Sequence, residues 1–231
     1  MLKIGITGKN GFIGSHLYNR ISLFEKEFKL IDFKRRFFNN EIKLDEFVSS
    51  CDVIIHLAGI NRHENDSYIF NKNIELTNNL INSFKRVKYN GRVIFSSSIQ
   101  EERSNVFGES KKKSRMLFSD WANSCNGDFT ALIIPNVFGA FGKPYYNSVI
   151  STFSYQINNN KDPVIENDVK LNLIYIDDLI FKIIYFIKTK SKEVIRISHN
   201  TEIKVTSILK KIENFKKNYI LHGIIPNFDS K

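Results

Sequence analysis

The stretch Leu2-Lys3-Ile4-Gly5-Ile6-Thr7, followed directly by Gly8-Lys9-Asn10-Gly11-Phe12-Ile13-Gly14, decides the predicted fold. The first part is an apolar run that leads into a glycine, which is typical of a buried strand. After the glycines, Ile13, Leu17 and Ile21 lie four residues apart, so they share one face of a helix. The chain is therefore predicted to begin with a strand, a glycine-rich turn and a helix.

The glycine-rich turn predicts a site for the diphosphate of a dinucleotide, with a purely structural turn as the alternative. Its glycines have the spacing GxxGxxG, which indicates dinucleotide binding where a strand leads into a helix. Gly8 permits the tight turn, Gly11 lets backbone N–H groups approach a diphosphate, and Gly14 lets the helix pack close to the sheet. The positive end of the helix then faces the phosphates. The predicted contacts in this turn are Gly8, Asn10, Gly11, Phe12, Ile13 and Gly14.

An acidic residue about 20 residues beyond the glycines usually binds the adenosine ribose of a dinucleotide. Asp32 lies 18 residues after Gly14, at the end of the second predicted strand. A carboxylate there favours NAD, because it repels a 2′-phosphate. However, Lys34, Arg35 and Arg36 follow at once, and their charges can hold that phosphate. We expect NADP(H) to be preferred, with NAD(H) or a solvated basic turn as the alternatives.

The alternation of strands and helices predicts an α/β fold, a Rossmann-type doubly wound parallel sheet with helices on both faces. The pattern loosens after Pro135. We therefore predict an NAD(P)-binding Rossmann domain over residues 1–140 and a smaller substrate-binding lobe over 141–231, interleaved with the sheet. The predicted strands are 2–7, 28–32, 51–57, 92–96, 129–134, 169–176 and 193–198. The predicted helices are 12–23, 68–84, 107–124, 147–158, 178–189 and 204–215.

Composition excludes several classes of protein. The chain has 231 residues, of which 42% are apolar, so it can bury a core. It contains no apolar run of about 18 residues, so we expect no membrane span. Two cysteines, Cys51 and Cys125, are too few for a disulfide scaffold or a Cys-rich metal site, and we expect no metal. A reducing, cytoplasmic setting fits best.

The formal net charge is +10, from 34 Lys and Arg against 24 Asp and Glu. Such a charge favours anionic partners, which include nucleic acid, a lipid surface and phosphorylated metabolites. The basic residues are scattered, and no nucleic-acid recognition motif accompanies them. We therefore expect neither nucleic acid nor a membrane among the partners.

Further motifs follow one another along the chain. They are His56-Leu57-Ala58-Gly59, Asn73-Ile74-Glu75-Leu76-Thr77, Ser96-Ser97-Ser98, Asn136-Val137-Phe138-Gly139 and Tyr175-Ile176-Asp177-Asp178. Together with GxxGxxG, this ordered set resembles the extended short-chain dehydrogenase/reductase superfamily, with its NVxxT helix, catalytic serine, NVxG turn and YVDD segment. The resemblance spans nearly the whole chain.

A narrower resemblance rests on Gly59-Ile60-Asn61-Arg62, Ser96-Ser97-Ser98-Ile99-Gln100, Phe107-Gly108-Glu109-Ser110-Lys111 and Pro144-Tyr145-Tyr146-Asn147-Ser148-Val149-Ile150. These segments are similar to the reductase domain of the CapF-type capsule-biosynthesis enzymes. Those enzymes reduce the 4-keto group of UDP-2-acetamido-2,6-dideoxy-hexos-4-uloses. They usually carry a C-terminal cupin epimerase domain, and this chain stops before one can begin. A separate sugar epimerase is therefore an expected partner.

The resemblance implies a catalytic serine and a tyrosine and lysine in YxxxK spacing, which places the last two on one helix face. The lysine holds the nicotinamide ribose and lowers the pKa of the tyrosine. The tyrosine gives a proton to the substrate carbonyl, and the serine stabilises the charge on that oxygen. Here Ser98 and Lys111 occupy the serine and lysine positions, but Phe107 occupies the tyrosine position.

Phe107 has no proton to give, and three interpretations remain open. It is an engineered loss of the hydroxyl, made to trap a complex; or it is a natural loss that leaves a sugar-nucleotide-binding protein. In the third, another residue is the acid, and Tyr145 and Tyr146 are the nearest spare phenols in the sequence. A missing general acid typically removes on the order of 100- to 10,000-fold in rate, so the chain is expected to be nearly inactive as it stands.

The resemblance also implies contacts outside the three catalytic positions. The further cofactor contacts are Leu57, Ala58, Gly59, Lys111, Pro135 and Val137. The substrate contacts are Arg62, Ser98, Gln100, Asn136, Tyr146 and Asn147. Arginine can bind a diphosphate, and the side-chain amides can read sugar hydroxyls or an acetamido group.

These features imply an NAD(P)H-dependent reductase of a 4-keto-6-deoxy N-acetyl sugar nucleotide, with a UDP-sugar substrate, in surface polysaccharide and capsule biosynthesis. The alternatives are a sugar-nucleotide epimerase or dehydratase and a non-enzymatic NADP- or sugar-nucleotide-binding protein. The family's dehydratases carry acidic residues beside the serine. Here Ile99 and Gln100 follow Ser98, and Glu101 and Glu102 come two residues too late.

The resemblance further implies a homodimer formed through the helices that carry Asn73 and Lys111. The second of these helices offers Met116, Leu117 and Trp121 as apolar residues for such an interface.

Overall fold

The computed structural model describes residues 1–146, 148–189 and 194–224. In these ranges the strands are β1 (Leu2–Thr7), β2 (Phe28–Ile31), β3 (Val53–His56), β4 (Arg92–Ser98), β5 (Asp128–Ile134), β6 (Asn136–Phe138), β7 (Lys170–Tyr175), β8 (Val194–Arg196) and β9 (Thr201–Lys204). The α-helices are α1 (Phe12–Ser22), α2 (Glu41–Ser49), α3 (Asp66–Arg86), α4 (Val106–Cys125), α5 (Val149–Asn158), α6 (Ile176–Lys188) and α7 (Val205–Phe215). Short 3₁₀ turns cover Arg35–Asn39 and Ile99–Glu102, and a π-helical turn covers Lys216–Leu221.

The predicted strands and helices are present, with ends that differ by no more than two residues in the described ranges. The sequence analysis missed α2, although Leu44, Phe47 and Val48 have the spacing of one helix face. All three are buried, and the Asn40 side chain caps the helix by accepting a hydrogen bond from the Lys43 N–H. It also missed β6 and β9, which are too short to show a period of their own.

The predicted fold class is confirmed. Six strands form one sheet in the order β2-β1-β3-β4-β5-β8, and every neighbouring pair is parallel. Because the strands are parallel, their carboxyl ends lie at one edge of the sheet, where such folds bind ligands. Thr7, His56 and Ser98 end β1, β3 and β4 at that edge.

The chain divides into two compact units. The first contains Met1–Pro135 and Ile176–Ser198, and the second contains Asn136–Tyr175 and His199–Lys231. The division after Pro135 precedes the predicted limit at residue 140, and α6 and β8 belong to the first unit. The reason is strand pairing, since β8 lies parallel to β5 with Leu132 opposite Ile195. In the second unit, β6, β7 and β9 form a separate three-stranded sheet.

The core of the first unit decides which side chains of α4 stay at the surface. Phe84, Phe95 and Phe118 are buried there among other aromatic side chains. Trp121 is also part of this core, and Leu117 packs against it. Trp121 is thus 4% exposed, and Leu117 is partly buried at the edge of the core, so these two residues offer less surface to a partner than Met116 does. The dimer interface itself stays a prediction.

None of the helices in the described ranges is long and apolar enough to cross a membrane. The same ranges contain no group of three or more His, Cys, Asp or Glu side chains arranged to hold a metal ion.

Candidate active site

The glycine-rich turn has a geometry that requires two of its glycines. Gly8 has φ +77°, and a Cβ there would lie 2.7 Å from the Ala58 nitrogen. A Cβ on Gly14 would lie 2.1 Å from the Gly8 carbonyl oxygen. At Gly11 the nearest atom would be 3.2 Å away, and the residue is exposed. Gly8 and Gly14 thus let the backbone close on itself, while a side chain at the exposed Gly11 would meet only the Gly8 carbonyl oxygen.

The end of α1 beside this turn suits an anion. The helix begins at Phe12, with Gly11 as its N-cap residue. Among the described residues, no side chain caps the first N–H groups, and the first turn holds no acidic residue. Such a helix end attracts a phosphate through its N–H groups and its dipole. Gly8, Gly11 and Gly14 therefore fit the diphosphate of a dinucleotide.

Asp32 lies just beyond β2, and a lysine of the glycine turn holds it. The Lys9 ammonium forms an ion pair with one carboxylate oxygen, and the Lys34 ammonium lies 3.9 Å from the other. The hydrogen bond from Lys9 is the largest of the effects that lower the pKa of Asp32. The sequence analysis did not predict this role for Lys9, although a cation inside the glycine turn could have indicated it. Arg35 and Arg36 begin the next 3₁₀ turn, and both are exposed.

The segment after β3 lies against Lys111 and α3. A Cβ on Gly59 would lie 3.5 Å from the Lys111 Nζ atom. Asn73 on α3 holds the next residue, since its Nδ2 donates to the Ile60 carbonyl and its Oδ1 accepts from the Ile60 N–H at 2.7 Å. The same Nδ2 donates to the Ser110 hydroxyl on α4 at 2.9 Å. Asn73 thus ties the Gly59 segment to the helix that carries Lys111.

Lys111 is a buried cation of the site, and its ammonium group has defined contacts on β4. Its Nζ donates to the Ser96 carbonyl at 2.8 Å and lies 4.7 Å from the centroid of the Phe95 ring. The side chain is buried, with 7% of the residue exposed. Burial lowers the pKa of Lys111 to about 8, and the negative charge of Glu101 opposes that shift.

Phe107 lies one helical turn before Lys111, as the YxxxK spacing predicts. The Lys111 Nζ is 5.9 Å from the centroid of the Phe107 ring, which is half-buried in the first turn of α4. Position 107 therefore places a ring beside a buried cation, which is where the family's phenol would be needed. The phenylalanine keeps the ring and lacks the oxygen.

Ser98 ends β4 and begins the 3₁₀ turn Ile99–Glu102. Its hydroxyl accepts a hydrogen bond from the Gln100 N–H at 3.2 Å. The side chain is half-buried, so it can still meet a ligand. The 3₁₀ turn also holds Glu101, whose side chain is 4% exposed and pairs with Arg115 on α4. Sequence reasoning missed that pair, for which the spacing of the residues along the chain gave no signal.

The remaining predicted residues are distributed over both units. Leu57 and Ala58 follow β3, and the Leu57 N–H donates to the Thr7 carbonyl at 3.2 Å. Arg62 is exposed, and Pro135 is buried at the end of the first unit's β5 segment.

The second unit contains the other predicted contacts. Asn136 and Val137 form part of β6, and the Asn136 amide donates to the Asn172 carbonyl at 3.2 Å. Tyr146 is half-buried, with the Lys143 ammonium 5.5 Å from its ring centroid. Asn147 lies outside the described residues.

Comparison with known proteins shows the family of the chain. The sequence profile of the "NAD dependent epimerase/dehydratase family" matches residues 4–198. A UDP-2-acetamido-2,6-beta-L-arabino-hexul-4-ose reductase of Pseudomonas aeruginosa is 33% identical over 187 residues, which are 78% of this chain and 48% of that protein. The chain thus spans about half the length of this curated relative.

Solved structures show the same fold. Capsular polysaccharide assembling protein CapF from Staphylococcus aureus has a TM-score of 0.81 at 28% identity, over 99% of this chain and 61% of that one. RMD from Pseudomonas aeruginosa, solved with NADPH, has a TM-score of 0.82 over 97% of this chain and 85% of that one. At 16% identity, this similarity supports the fold alone. From the glycine turn, the paired helix positions and the match over residues 4–198, the chain belongs to the NAD dependent epimerase/dehydratase family.

Proposed function

We propose that the chain has the fold and site of an NADP(H)-dependent reductase, which reduces the 4-keto group of a UDP-linked 6-deoxy-N-acetyl sugar. It would act in the cytoplasm, in surface polysaccharide or capsule biosynthesis. The observation that carries this proposal is the buried Lys111 ammonium beside the ring at position 107. The relative named for a hexul-4-ose reductase supports the substrate class. Asn136, Tyr146 and Asn147 remain the substrate contacts that the resemblance implies.

The residues of the first unit have distinct roles in the proposed reaction. Gly8, Gly11 and Gly14 hold the diphosphate at the end of α1. When bound, the dinucleotide supplies a hydride. Lys111 holds the nicotinamide ribose by hydrogen bonding and places a positive charge beside position 107. The Ser98 hydroxyl donates a hydrogen bond to the substrate carbonyl oxygen and stabilises its developing negative charge.

Phe107 removes the proton donor from this arrangement. The chain is then expected to bind both ligands and to reduce the ketone very slowly, because a missing general acid costs on the order of 100- to 10,000-fold in rate. An engineered substitution and a natural loss have the same chemical consequence at this position. A tyrosine at position 107 would restore a proton donor in either case.

The arrangement of Glu101 argues against a dehydratase. That chemistry needs a carboxylate free to take a proton from the substrate. The Glu101 carboxylate is buried and accepts hydrogen bonds from Arg115 at 2.7 and 2.9 Å. Both oxygens are engaged by protein donors, which disfavours elimination as the reaction.

Product analysis of the Phe107→Tyr variant tests the proposed reaction. With NADPH and a UDP-4-keto-6-deoxy-N-acetylhexose, we expect a product that has gained two hydrogen atoms by mass spectrometry. With a UDP-N-acetylhexose that keeps its 4- and 6-hydroxyls and with the oxidised cofactor, a 4-epimerase would instead give a product of unchanged mass, and a 4,6-dehydratase would give one that has lost a water. Either of those products would contradict a reductase.

We expect NADPH to bind more tightly than NADH, by about tenfold or more, since a tenfold change is only about 1.4 kcal/mol. Lys9 pairs with Asp32 and so reduces the repulsion that this carboxylate exerts on a 2′-phosphate. Lys34, Arg35 and Arg36 add positive charge. Titrating both cofactors by fluorescence measures the preference. Lys34→Ala combined with Arg35→Ala should weaken the binding of NADPH and leave the binding of NADH unchanged. Equal affinity, or a preference for NADH, would instead make Asp32 the ribose ligand.

We propose that two copies of the chain associate through α3 and α4. Of the three apolar residues first considered, Met116 stays exposed, with 46% of its surface accessible. Sedimentation at micromolar concentration should show a dimer, and Met116→Asp should shift it towards monomer. Leu23→Asp, at an exposed site after α1, serves as the control. A monomer in the unchanged chain would contradict this assembly.

A further inference from the structure

Glu101 is a buried carboxylate between β4 and α4. Its side chain is 4% exposed. The Arg115 guanidinium grips it with two nitrogens, Nε at 2.9 Å and Nη2 at 2.7 Å from the same oxygen, and the Ser97 hydroxyl donates to the other oxygen. Such a forked pair holds both side chains in one orientation.

Stability alone is a poor reason for this pair. Removing a carboxylate from water is costly, and replacing a buried ion pair with apolar residues is often neutral or stabilising. A buried pair can instead fix one local geometry among several. The position of Glu101, three residues after Ser98, indicates which geometry it fixes.

The 3₁₀ turn that holds Glu101 lies directly against the start of α4. A Cβ on Gly108 would lie 1.9 Å from the Gln100 carbonyl oxygen, so the two backbones are in close contact there. The Gln100 N–H also donates to the Ser98 hydroxyl. A short chain of contacts therefore runs from Ser98, through Gln100, to the residue next to Phe107.

Arg115 reaches the same turn from the other end of the site. Phe107, Lys111 and Arg115 are four residues apart, so they lie along one face of α4. Arg115, which holds Glu101, therefore lies on the same helix face as Phe107 and Lys111 of the candidate site.

We propose that Glu101 is a positioning residue, which, held by Arg115 and Ser97, fixes the Ile99–Glu102 turn so that Ser98 keeps its place relative to position 107 and Lys111. This inference rests on the proposed function for its catalytic meaning. The contacts that carry it are independent of that function.

The charge of Glu101 has a second effect on the site. Burial lowers the pKa of Lys111, and the Glu101 carboxylate raises it again towards its ordinary value. His56 on β3 is coupled to Lys111, and its pKa is lowered to about 3, first by burial and then by the Lys111 charge. His56 is thus neutral at physiological pH. Glu101 therefore favours the protonated form of Lys111.

The experiment uses Glu101→Gln, which keeps the size of the side chain and removes its charge. The matched control is Asp45→Asn, since Asp45 is gripped in the same forked way by Arg86, between α2 and α3. Amide hydrogen exchange in residues 98–102 should become about tenfold faster in Glu101→Gln and stay unchanged in the control. The NMR titration midpoint of Lys111 should fall by at least about half a pH unit in Glu101→Gln only.

The same substitutions in the Phe107→Tyr background measure the effect on the reaction. Glu101→Gln should lower kcat on the order of 10- to 100-fold, because small misplacements at a reacting centre are costly. The Kd for NADPH should change less than about twofold, since the glycine turn is untouched. Glu101→Asp, which keeps the charge, should restore the Lys111 midpoint and part of the rate.

Unchanged exchange and an unchanged Lys111 midpoint in Glu101→Gln would overturn the positioning role. A kcat equal to that of the Asp45→Asn control would also overturn it. If Phe107→Tyr itself reduces no ketone, the proposed function fails, while hydrogen exchange and the Lys111 titration still decide the role of Glu101.

Discussion

Phe107→Tyr is expected to raise NADPH-dependent reduction of a UDP-4-keto-6-deoxy-N-acetylhexose on the order of 100-fold or more, the usual worth of a positioned general acid. The phenylalanine ring already lies beside the Lys111 ammonium, with 5.9 Å between Nζ and the ring centroid. The substitution adds one oxygen atom to a half-buried ring. The nearby positive charge lowers the pKa of the new phenol and makes it a better proton donor near neutral pH.

The gain should depend on Lys111 and on the place of the new hydroxyl. Lys111→Ala in the Phe107→Tyr background should abolish the gain, because the phenol loses the charge beside it. Phe215→Tyr adds the same oxygen to an exposed ring at the end of α7, and should change nothing. Affinity for NADPH should stay the same in Phe107→Tyr, since the glycine turn and Lys111 are intact.

One outcome would separate the interpretations of Phe107. If Phe107→Tyr binds NADPH and the UDP-sugar but stays inactive, a lost hydroxyl is not the reason for low activity. A binding protein, or a reductase with a different acid, would then be the better account. Tyr145 and Tyr146 would be the first phenols to replace with phenylalanine.

Gly14→Ala is expected to weaken NADPH binding on the order of 100-fold, and to lower the thermal midpoint. The new Cβ would lie 2.1 Å from the Gly8 carbonyl oxygen and 2.8 Å from the Gly8 carbonyl carbon. Both are backbone atoms, so α1 or the turn must move. Losing two backbone hydrogen bonds to a phosphate, at about 1.5 kcal/mol each, corresponds to this loss of affinity.

Two further alanine variants separate binding from stability. At Gly127 a Cβ would lie 3.1 Å from the Trp121 ring, away from the turn, so Gly127→Ala should lower the thermal midpoint and leave NADPH affinity intact. Gly11 has φ −79°, which alanine accepts, so Gly11→Ala should keep the fold while crowding the diphosphate. Calorimetric titration and thermal unfolding give the two readouts. NADPH affinity in Gly14→Ala equal to that of the parent would contradict a role for the turn in binding.

The catalytic spacing was predictable because it is local. Positions 107 and 111 share a helix face through the helical period, so a sequence that forms α4 brings Lys111 beside Phe107. The glycine turn was predictable for the same reason, since β1, the turn and α1 are consecutive in the chain. In both places the relevant contacts join residues only a few positions apart.

Other parts of the site were not predictable from spacing. Lys9 reaches Asp32 across 23 residues, and Asn73 binds Ser110 across 37. Glu101 meets Arg115 only because the turn after β4 lies flat against α4. Each of these pairs joins segments whose separation is set by the packing of strands and helices.

The sequence by itself determined the order of strands and helices, the glycine turn, and the identity of the residues at positions 98, 107 and 111. These follow from periodicity and from backbone restrictions that act over a few residues. Only the tertiary structure decided that Trp121 joins the core, that α6 and β8 belong to the first unit, and that Glu101 is buried against Arg115. The physical reason is that burial and pairing depend on which distant segments meet, and no local pattern encodes that meeting.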